Sequence, residues 1–470
     1  MKSSARDFSD NAEKALLNPD LRRALAQVRE GFVVKRAKAF AELPEFAALR
    51  RLGHEIKQHS LEHLDYYLER YERQVIAAGG QVHWAQTPQQ ARDIVVKICR
   101  DSAAQRVIKG KSMVSEEVAL NEALEAADFE VTETDLGEYI IQLAKEPPSH
   151  IIAPAVHKTR EQVNALFRDH HKNLGGKRDA SVAGLVNEAR QVLRQAFLKA
   201  DVGITGANFL IAETGAHVLV TNEGNGDLCS SLPRVHIVTA SIEKVIPNLE
   251  DLSVLLRLLA RSATGQPLSV YTTLYNGPAK AEQGAGPKEY HVVLVDHGRS
   301  TLLGTEFREA LRCIRCGACL NHCPVYTAIG GHAYGWVYPG PIGAVLSPLM
   351  LGMQEAHDLP HACTLNGHCQ QVCPMEIPLP SLLRRLRQRG FSDRVDGRRS
   401  RWALQVWVIL ARHPALYRFI NDVGAWMMGK VARGGVLHRW PMAGAWTRYR
   451  DLPTPEGSGF ISAWKRGDRS

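Results

Sequence analysis

Apolar and polar positions in the first part of this chain follow a helical pattern. Up to about residue 75, apolar residues such as Leu49, Ile56 and Leu64 recur at roughly helical spacing, and charged residues fill the positions between them. This pattern predicts amphipathic helices, because every third or fourth residue lies on the same helix face. We therefore interpret residues 1–79 as an N-terminal helical region.

From about residue 80, short apolar runs of strand length alternate with helical segments. The predicted strands are 80–85, 106–109, 129–132, 207–212, 217–221, 235–239 and 291–296. Thr87 followed by Pro88 is typical of a helix start, because Thr caps free N–H groups and Pro fits the first turn. Residues 154–200 lack strand signals and are interpreted as a helical insertion. Strands that alternate with helices predict an α/β domain with a largely parallel sheet over residues 80–300.

Two polar loops in this domain are candidates for ligand binding. Residues 109–112 follow a strand, and their backbone N–H groups and two lysines can hold an anion, although the P-loop frame is absent. The second candidate is a pair of turns at residues 213–215 and 221–227. These turns are rich in Gly, Asn and Asp, which favour left-handed backbone. A turn without a ligand explains this pair equally well. The candidate contacts are Lys111, Glu213 and Glu223.

Seven of the nine cysteines form two closely spaced runs. The first run has the spacing C-x2-C-x2-C-x3-C-P, and the second nearly repeats it. Their cysteines are Cys313, Cys316, Cys319 and Cys323, then Cys363, Cys369 and Cys373. This spacing is typical of proteins that hold two iron–sulfur clusters. Zinc sites with paired C-x2-C units and disulfide frameworks of small secreted domains fit the pattern less well.

In two-cluster ferredoxins, the last cysteine of each run binds the cluster of the other run. The ligands predicted for the first cluster are Cys313, Cys316, Cys319 and Cys373. The ligands predicted for the second cluster are Cys323, Cys363 and Cys369. A perfect second run has a cysteine at position 366, where this chain has Asn366. We therefore expect a [4Fe-4S] first cluster and either a [4Fe-4S] or a [3Fe-4S] second cluster.

The positive charge of the chain is concentrated in its C-terminal tail. Residues 381–470 contain 18 Lys and Arg against 6 Asp and Glu, a net charge of +12, whereas the whole chain carries +9. The tail also holds six of the eight tryptophans. Its apolar runs are too short to span a bilayer, so we expect it to pack on the protein or a partner subunit, or to lie on an anionic membrane surface. No nucleic-acid-binding motif is present, so we expect no nucleic-acid partner.

The N-terminal residues and the cysteines indicate a compartment. The chain begins with a charged segment rather than an apolar one, which argues against an export signal. Reduced, metal-binding cysteines fit a reducing compartment. We expect a cytoplasmic protein, with the tail as the candidate for peripheral contact with the inner face of the cytoplasmic membrane.

The chain resembles the lactate-utilization protein B family over nearly its whole length. The resemblance lies in the loops at 110–113, 213–215 and 221–224, in both cysteine runs and in the basic tail. It implies a LUD domain similar to sugar-phosphate isomerases and CoA transferases, followed by a ferredoxin-type module. It also implies a three-protein complex that oxidises L-lactate to pyruvate. The implied partners are a cysteine-rich iron–sulfur subunit and a smaller LUD protein.

One departure from that family concerns the second cluster. Many members have a cysteine at the position of Asn366 and a small residue at that of Cys363. The number of thiolates stays at three, but the geometry of the second cluster is in question.

Together these features predict four regions and a function. The regions are helical 1–79, LUD-like α/β 80–300, an α-helical ferredoxin-type module at 301–390, and a basic, Trp-rich extension at 391–470. The predicted function is that of an iron–sulfur electron-transfer subunit of an L-lactate oxidation complex. Two alternatives stay open. One is a self-contained iron–sulfur oxidoreductase that binds substrate in the LUD domain, and the other is a membrane-docked or partner-docked adaptor with structural clusters.

Overall fold

The chain divides into two compact units, Met1–Gly390 and Phe391–Ser470. The structure, a computed structural model, describes residues 3–172, 178–280, 282, 284–395, 397–439, 444–447, 450–455 and 459–467. Trp440 of the tail lies outside the described residues.

The N-terminal region is helical, as the sequence predicted. Its helices are Phe8–Leu16, Pro19–Val28, Val34–Ala41, Phe46–Glu62 and Leu64–Ala77, with a π-helical segment Arg29–Val33 and a 3-10 turn Ala5–Asp7. Tyr71 and Val75 of the last helix are fully buried and pack in one apolar cluster with Val292. This region therefore covers one face of the sheet that follows it.

The strands form two sheets. They are β1 Gln81–Ala85, β2 Arg106–Lys109, β3 Glu130–Glu133, β4 Val202–Gly206, β5 Phe209–Ile211, β6 His217–Thr221, β7 Val235–Ser241, β8 Val245–Ile246, β9 Tyr271–Tyr275 and β10 Glu289–Val295. The main sheet is parallel throughout, in the order β1-β10-β7-β4-β2-β3. The smaller sheet has the order β8-β5-β6-β9 and is mixed. The α/β class with a largely parallel sheet is confirmed, whereas β4, β8 and β9 were not predicted.

Helices cover both faces of the main sheet. They are Pro88–Asp101, Met113–Glu117, Leu120–Glu125, Leu136–Ala144, Arg160–His170, Val182–Lys199, Asn225–Ser231 and Leu249–Thr264, with a 3-10 turn Ile242–Lys244. The predicted cap at Thr87 is present, because its side chain accepts a hydrogen bond from the N–H of Gln90 at 3.2 Å. Such double coverage explains why the strands read as continuous apolar runs.

The remaining helices of the first unit surround the cysteines. They are Arg299–Leu302, Ala318–Asn321, Pro324–Ile329, Gly340–Leu351, Met353–Ala356, Asp358–His361, His368–Gln371 and Leu379–Ser392, with 3-10 turns Arg308–Arg312 and His332–Tyr334. Most are a single turn long. Cysteine positions are thus fixed by loops between short helices rather than by long regular elements.

The second unit is built on two longer helices. Its elements are Arg398–Arg412, Pro414–Val431, Gly444–Thr447 and Phe460–Arg466, with the paired strands β11 Val436–Leu437 and β12 Leu452–Pro453. Throughout the described part of the chain, no helix combines the length and the apolar character that a bilayer crossing requires.

Candidate iron–sulfur centre and ligand cavity

The two cysteine runs adopt the same loop conformation. In the first run, Arg315 and Gly317 have φ angles of 60° and 72°. The Arg315 N–H donates to Cys313 Sγ at 3.4 Å. In the second run, the equivalent residues Leu365 and Gly367 have φ angles of 57° and 83°, and an N–H again donates to the leading sulfur, here at 3.3 Å. Left-handed backbone at these positions turns successive side chains toward one point.

This equivalence places Asn366 at the position that Cys316 holds in the first run. The Cys316 sulfur accepts a hydrogen bond from the N–H of Ala318. In the second run, Asn366 Oδ1 accepts the corresponding bond from the N–H of His368 at 3.1 Å. Asn366 is exposed. The second run therefore presents an amide, open to solvent, where the first presents a buried thiol.

Four cysteines from both runs surround one cavity. The cysteines that line it are Cys313, Cys316, Cys319 and Cys373. Burial, together with repulsion from Cys373 and Cys313, raises the pKa of the Cys316 thiol to about 12. Burial also raises the pKa of the Cys319 thiol, again with repulsion from its three neighbours in this cavity. Four convergent sulfurs with apolar neighbours form the donor set of a [4Fe-4S] cubane, so these residues fit the group.

The other three cysteines form a second group. Burial raises the pKa of the Cys369 thiol to about 12, with repulsion from Cys363 and then Cys323. The Cys323 sulfur caps the helix Pro324–Ile329, accepting from the N–H of Tyr326 at 3.5 Å. Because Cys323 interacts with Cys369, the fourth cysteine of the first run lies with the cysteines of the second run. Three thiols in proximity fit a cluster with one corner that lacks a cysteine.

A larger cavity opens in the LUD-like domain. It has a volume of about 520 Å³ and lies at the carboxyl ends of β2 and β4, with Ser112 and Asn208 in its lining. The chain moves from β2 to β3 on one side and from β4 to β7 on the other. Ligands of open parallel sheets bind where the strand order reverses in this way. The position and size are those of a ligand site.

The structure separates the three loop residues that the sequence singled out. Lys111 and Glu223 both line the cavity. Glu213 is exposed in the turn between β5 and β6 and is not among the lining residues. Lys109 points elsewhere, because its Nζ lies 2.5 Å from Glu116 Oε1 and 2.8 Å from Glu133 Oε1. Of the two lysines in that loop, only Lys111 faces the cavity.

Two cations in the cavity wall, Lys244 and Arg315, were missed by sequence reasoning, whereas Asn225, which also lines the cavity, lies in the second candidate loop. Lys244 follows β7, and Arg315 lies between two cysteines of the first run. No sequence signal joins them, because they are distant along the chain and meet only when the cysteine module packs on the sheet.

A buried ionic network joins this cavity to the cysteine module. Arg299 Nη2 lies 2.6 Å from Glu117 Oε2, and its Nε lies 2.8 Å from Glu243 Oε2. Arg315 Nη2 lies 3.2 Å from Glu243 Oε1. Tyr338, from the cysteine module, donates its hydroxyl to Glu117 at 2.6 Å. Burial opposes ionisation of Glu117, but Arg299 and His297 hold its pKa well below the usual range.

The exposed amide at position 366 leads to a prediction. In an Asn366→Cys variant, we expect a second cluster with a lower midpoint potential, because an added thiolate adds negative charge. We also expect it to keep its iron longer during oxidation by ferricyanide. Redox titration followed by EPR, with iron and sulfide assays, measures both effects. Thr364→Cys is the matched control, because it adds a thiol to the same loop at a position equivalent to Ile314. Equal behaviour of the two variants would contradict the assignment.

Comparisons with known proteins match the two domains in which these sites lie. Residues 68–295 match the LUD domain family, and residues 309–377 match the 4Fe-4S dicluster domain family. The second match supports iron–sulfur clusters as the cofactor of the cysteine module. A solved DUF162 family protein from Deinococcus radiodurans aligns with 49% of this chain and 98% of its own, at 12% identity. Its TM-score of 0.27 is too low to support an argument.

Relatives match the chain from end to end. Lactate utilization protein B of Geobacillus thermodenitrificans is 42% identical, over 98% of this chain and 97% of its own. The protein of that name from Bacillus pumilus is 41% identical over 99% and 98%. The Escherichia coli relative, an uncharacterized electron transport protein named YkgF, is 40% identical over 99% and 98%. With a 4Fe-4S dicluster domain match over its cysteine module, the chain therefore belongs to the lactate utilization protein B family.

Proposed function

We propose that this chain is the electron-transfer subunit of an L-lactate oxidation complex and that it holds two iron–sulfur clusters. The proposed ligands of the first are Cys313, Cys316, Cys319 and Cys373. The proposed ligands of the second are Cys323, Cys363 and Cys369, with Asn366 at its fourth corner. The observation that supports the proposal most strongly is that the last cysteine of each run lies with the cysteines of the other run. Clusters held in this way would lie next to each other.

The chain's own residues supply the setting for these clusters. When bound, iron–sulfur clusters supply one-electron transfer, at potentials set by charge, hydrogen bonds and exposure. Arg50 Nε donates to the carbonyl oxygen of Cys373 at 2.8 Å, and Arg36 Nη2 to that of Val372 at 2.8 Å. Arg387 Nη2 donates to the carbonyl oxygen of Cys363 at 2.6 Å. These cations offset thiolate charge, so they favour the reduced state.

We further propose that the chain assembles with a cysteine-rich iron–sulfur subunit and a smaller LUD protein. The tail supports such docking, because Trp402, Trp407 and Trp426 are 67%, 57% and 58% exposed. Large exposed apolar side chains close together are typical of protein or membrane contacts. The basic residues of the same helices also fit the alternative, peripheral contact with an anionic membrane.

A growth experiment tests the proposed function. A deletion strain of the native host, without a paralogue, is expected not to grow on L-lactate as sole carbon source. Plasmid-borne wild-type chain and Cys99→Ala are expected to restore growth, because Cys99 is buried far from both cysteine runs in the sequence. Cys319→Ala is expected not to restore it. Undiminished growth of the deletion strain would contradict the proposal.

One observation favours a second candidate function, that of a self-contained oxidoreductase. Ile151 lines both the LUD cavity and the cavity of the four cysteines, so the two cavities share part of a wall. A substrate in the LUD cavity would thus lie beside the proposed first cluster. Purified chain that reduces a dye with L-lactate, without the other two proteins, would support this candidate. The same chain inactive alone but active in the three-protein mixture would support the subunit.

A further inference from the structure

Arg315 is the one residue of the cysteine loops that also lines the LUD cavity. Its backbone N–H donates to the sulfur of Cys313, and its guanidinium lies 4.7 Å from the ring centre of Tyr338. The side chain is only 10% exposed, and one nitrogen, Nη2, is paired with Glu243. The other, Nη1, is buried without a hydrogen-bond partner. A buried guanidinium N–H without an acceptor is costly, so its position in a cavity wall points to a ligand acceptor.

Three cations, Lys111, Lys244 and Arg315, and two carboxylates, Asp135 and Glu223, line this wall, and Asp135 already accepts hydrogen bonds from the N–H groups that follow it. Lys111 Nζ donates to the carbonyl oxygen of Ile152, and Lys244 Nζ to that of Ala207. Neither ammonium has a carboxylate partner among the contacts of the described residues, so each keeps donor capacity. Burial lowers the pKa of Lys244 to about 8, with Glu243 opposing this effect and Arg315 adding to it. A bound anion would offset the positive charges of Lys244 and Arg315.

The rest of the lining sets the kind of anion. Ile151, Leu219 and Leu259 supply apolar surface, and Asn225 adds a buried amide oxygen that has no hydrogen-bond partner. That oxygen accepts hydrogen bonds, so it favours a ligand with an O–H or N–H group beside its anionic oxygens. The volume, about 520 Å³, lies in the range of sites for organic metabolites and cofactors. Inorganic phosphate would leave the apolar part of the wall unfilled.

We propose that the LUD cavity binds an organic anion, with its carboxylate or phosphate oxygens on Arg315 and Lys111, and that Arg315 couples this binding to the neighbouring first cluster. The binding part does not depend on the proposed role in lactate oxidation. The coupling part rests on the proposed ligation of the first cluster. An anion on Arg315 offsets positive charge beside Cys313, so it disfavours reduction there. By reciprocity, reduction weakens anion binding by the same factor.

Equilibrium dialysis of the anaerobically purified holoprotein tests the binding. The probes are L-lactate and pyruvate as small carboxylates, FMN as a larger organic phosphate, and inorganic phosphate alone. We expect at least one organic probe to bind saturably, and more tightly than inorganic phosphate. Arg315→Gln and Lys111→Met are each expected to weaken that binding by about tenfold or more, the loss of one charge-assisted contact. Arg194→Gln, an exposed arginine on the helix Val182–Lys199, is expected to bind as wild type does.

The same samples test the coupling. EPR-monitored redox titration is expected to show a lower midpoint potential of the first cluster with saturating probe, and no such shift in Arg315→Gln. If the Arg315→Gln variant fails to fold, the binding affinity of Lys111→Met still tests the proposed anion site. The proposal is overturned if no organic probe binds wild type up to about 10 mM, an affinity too weak for a built site. It is also overturned if the Lys111 variant binds with wild-type affinity. An unchanged potential at saturation removes the coupling, whatever the growth phenotype on lactate.

Discussion

Removing the last cysteine of one run is expected to destroy the cluster of the other run. In Cys323→Ala, we expect about half of the iron to be lost, with the second cluster missing and the first intact. In Cys373→Ala, we expect the first cluster to be missing and the second intact. The reason is geometric, because Cys373 lines the cavity of the first run and Cys323 lies with Cys363 and Cys369. Iron and sulfide assays with EPR of the two reduced variants measure this outcome.

Two features make the comparison decisive. Alanine is used because a serine oxygen can replace a thiolate as an iron ligand. Cys229→Ala serves as the control, since Cys229 is a fully buried thiol whose sulfur lies 3.2 Å from the hydroxyl of Thr134. The control is expected to keep its full iron content. If Cys323→Ala loses the cluster of its own run, each run holds its own cluster and the assignment is wrong.

Replacing Arg299 by methionine is expected to destabilise the first unit by about 3–5 kcal/mol, because it leaves buried carboxylates without their partner. Arg299 is 1% exposed. It is the one cation that contacts both Glu117 and Glu243 within the described residues. Unfolding followed by circular dichroism in urea, under anaerobic conditions, gives the change in the free energy of unfolding.

The matched control for this variant is Arg106→Met. Arg106 lies 3.3 Å from Glu130, and the two side chains are 45% and 70% exposed. An exposed pair of this kind contributes about 1 kcal/mol or less. Equal stability losses in the two variants would mean that the buried network does not hold the cysteine module on the sheet.

The strands with a regular apolar pattern could be predicted from the sequence, whereas the central strand β4 could not. Apolar runs at β1, β2, β6 and β7 carry strand periodicity. In β4, Gly203 and Gly206 read as turn residues. The structure needs the first of them for close packing, because a Cβ at Gly203 would lie 1.9 Å from the carbonyl oxygen of Cys229. Such an approach depends on a residue 26 positions away, so local patterns cannot reveal it.

In the candidate sites too, the residues indicated by local sequence patterns could be predicted, and those brought together only by folding could not. The cysteine spacing predicts iron–sulfur chemistry because ligands close in sequence must converge on one small group. Lys111 and Glu223 were suggested by their loops, and both line the cavity. Glu213 was suggested by the same reasoning, but Gly215 brings its turn against the backbone of the N-terminal helix at Gln74. Arg315 was hidden because its partner Glu243 lies in a different domain of the sequence.

Mössbauer spectroscopy of the anaerobically purified, iron-57-labelled chain, with iron and acid-labile sulfide counts, tests the central claim most directly. Two clusters with seven thiolates predict about seven to eight iron atoms per chain and a matching amount of sulfide. One [4Fe-4S] component should have uniform tetrathiolate sites, and a second should have a distinct or missing iron. A colourless protein with zinc in place of iron, or a single cluster that uses cysteines of one run only, would contradict the account.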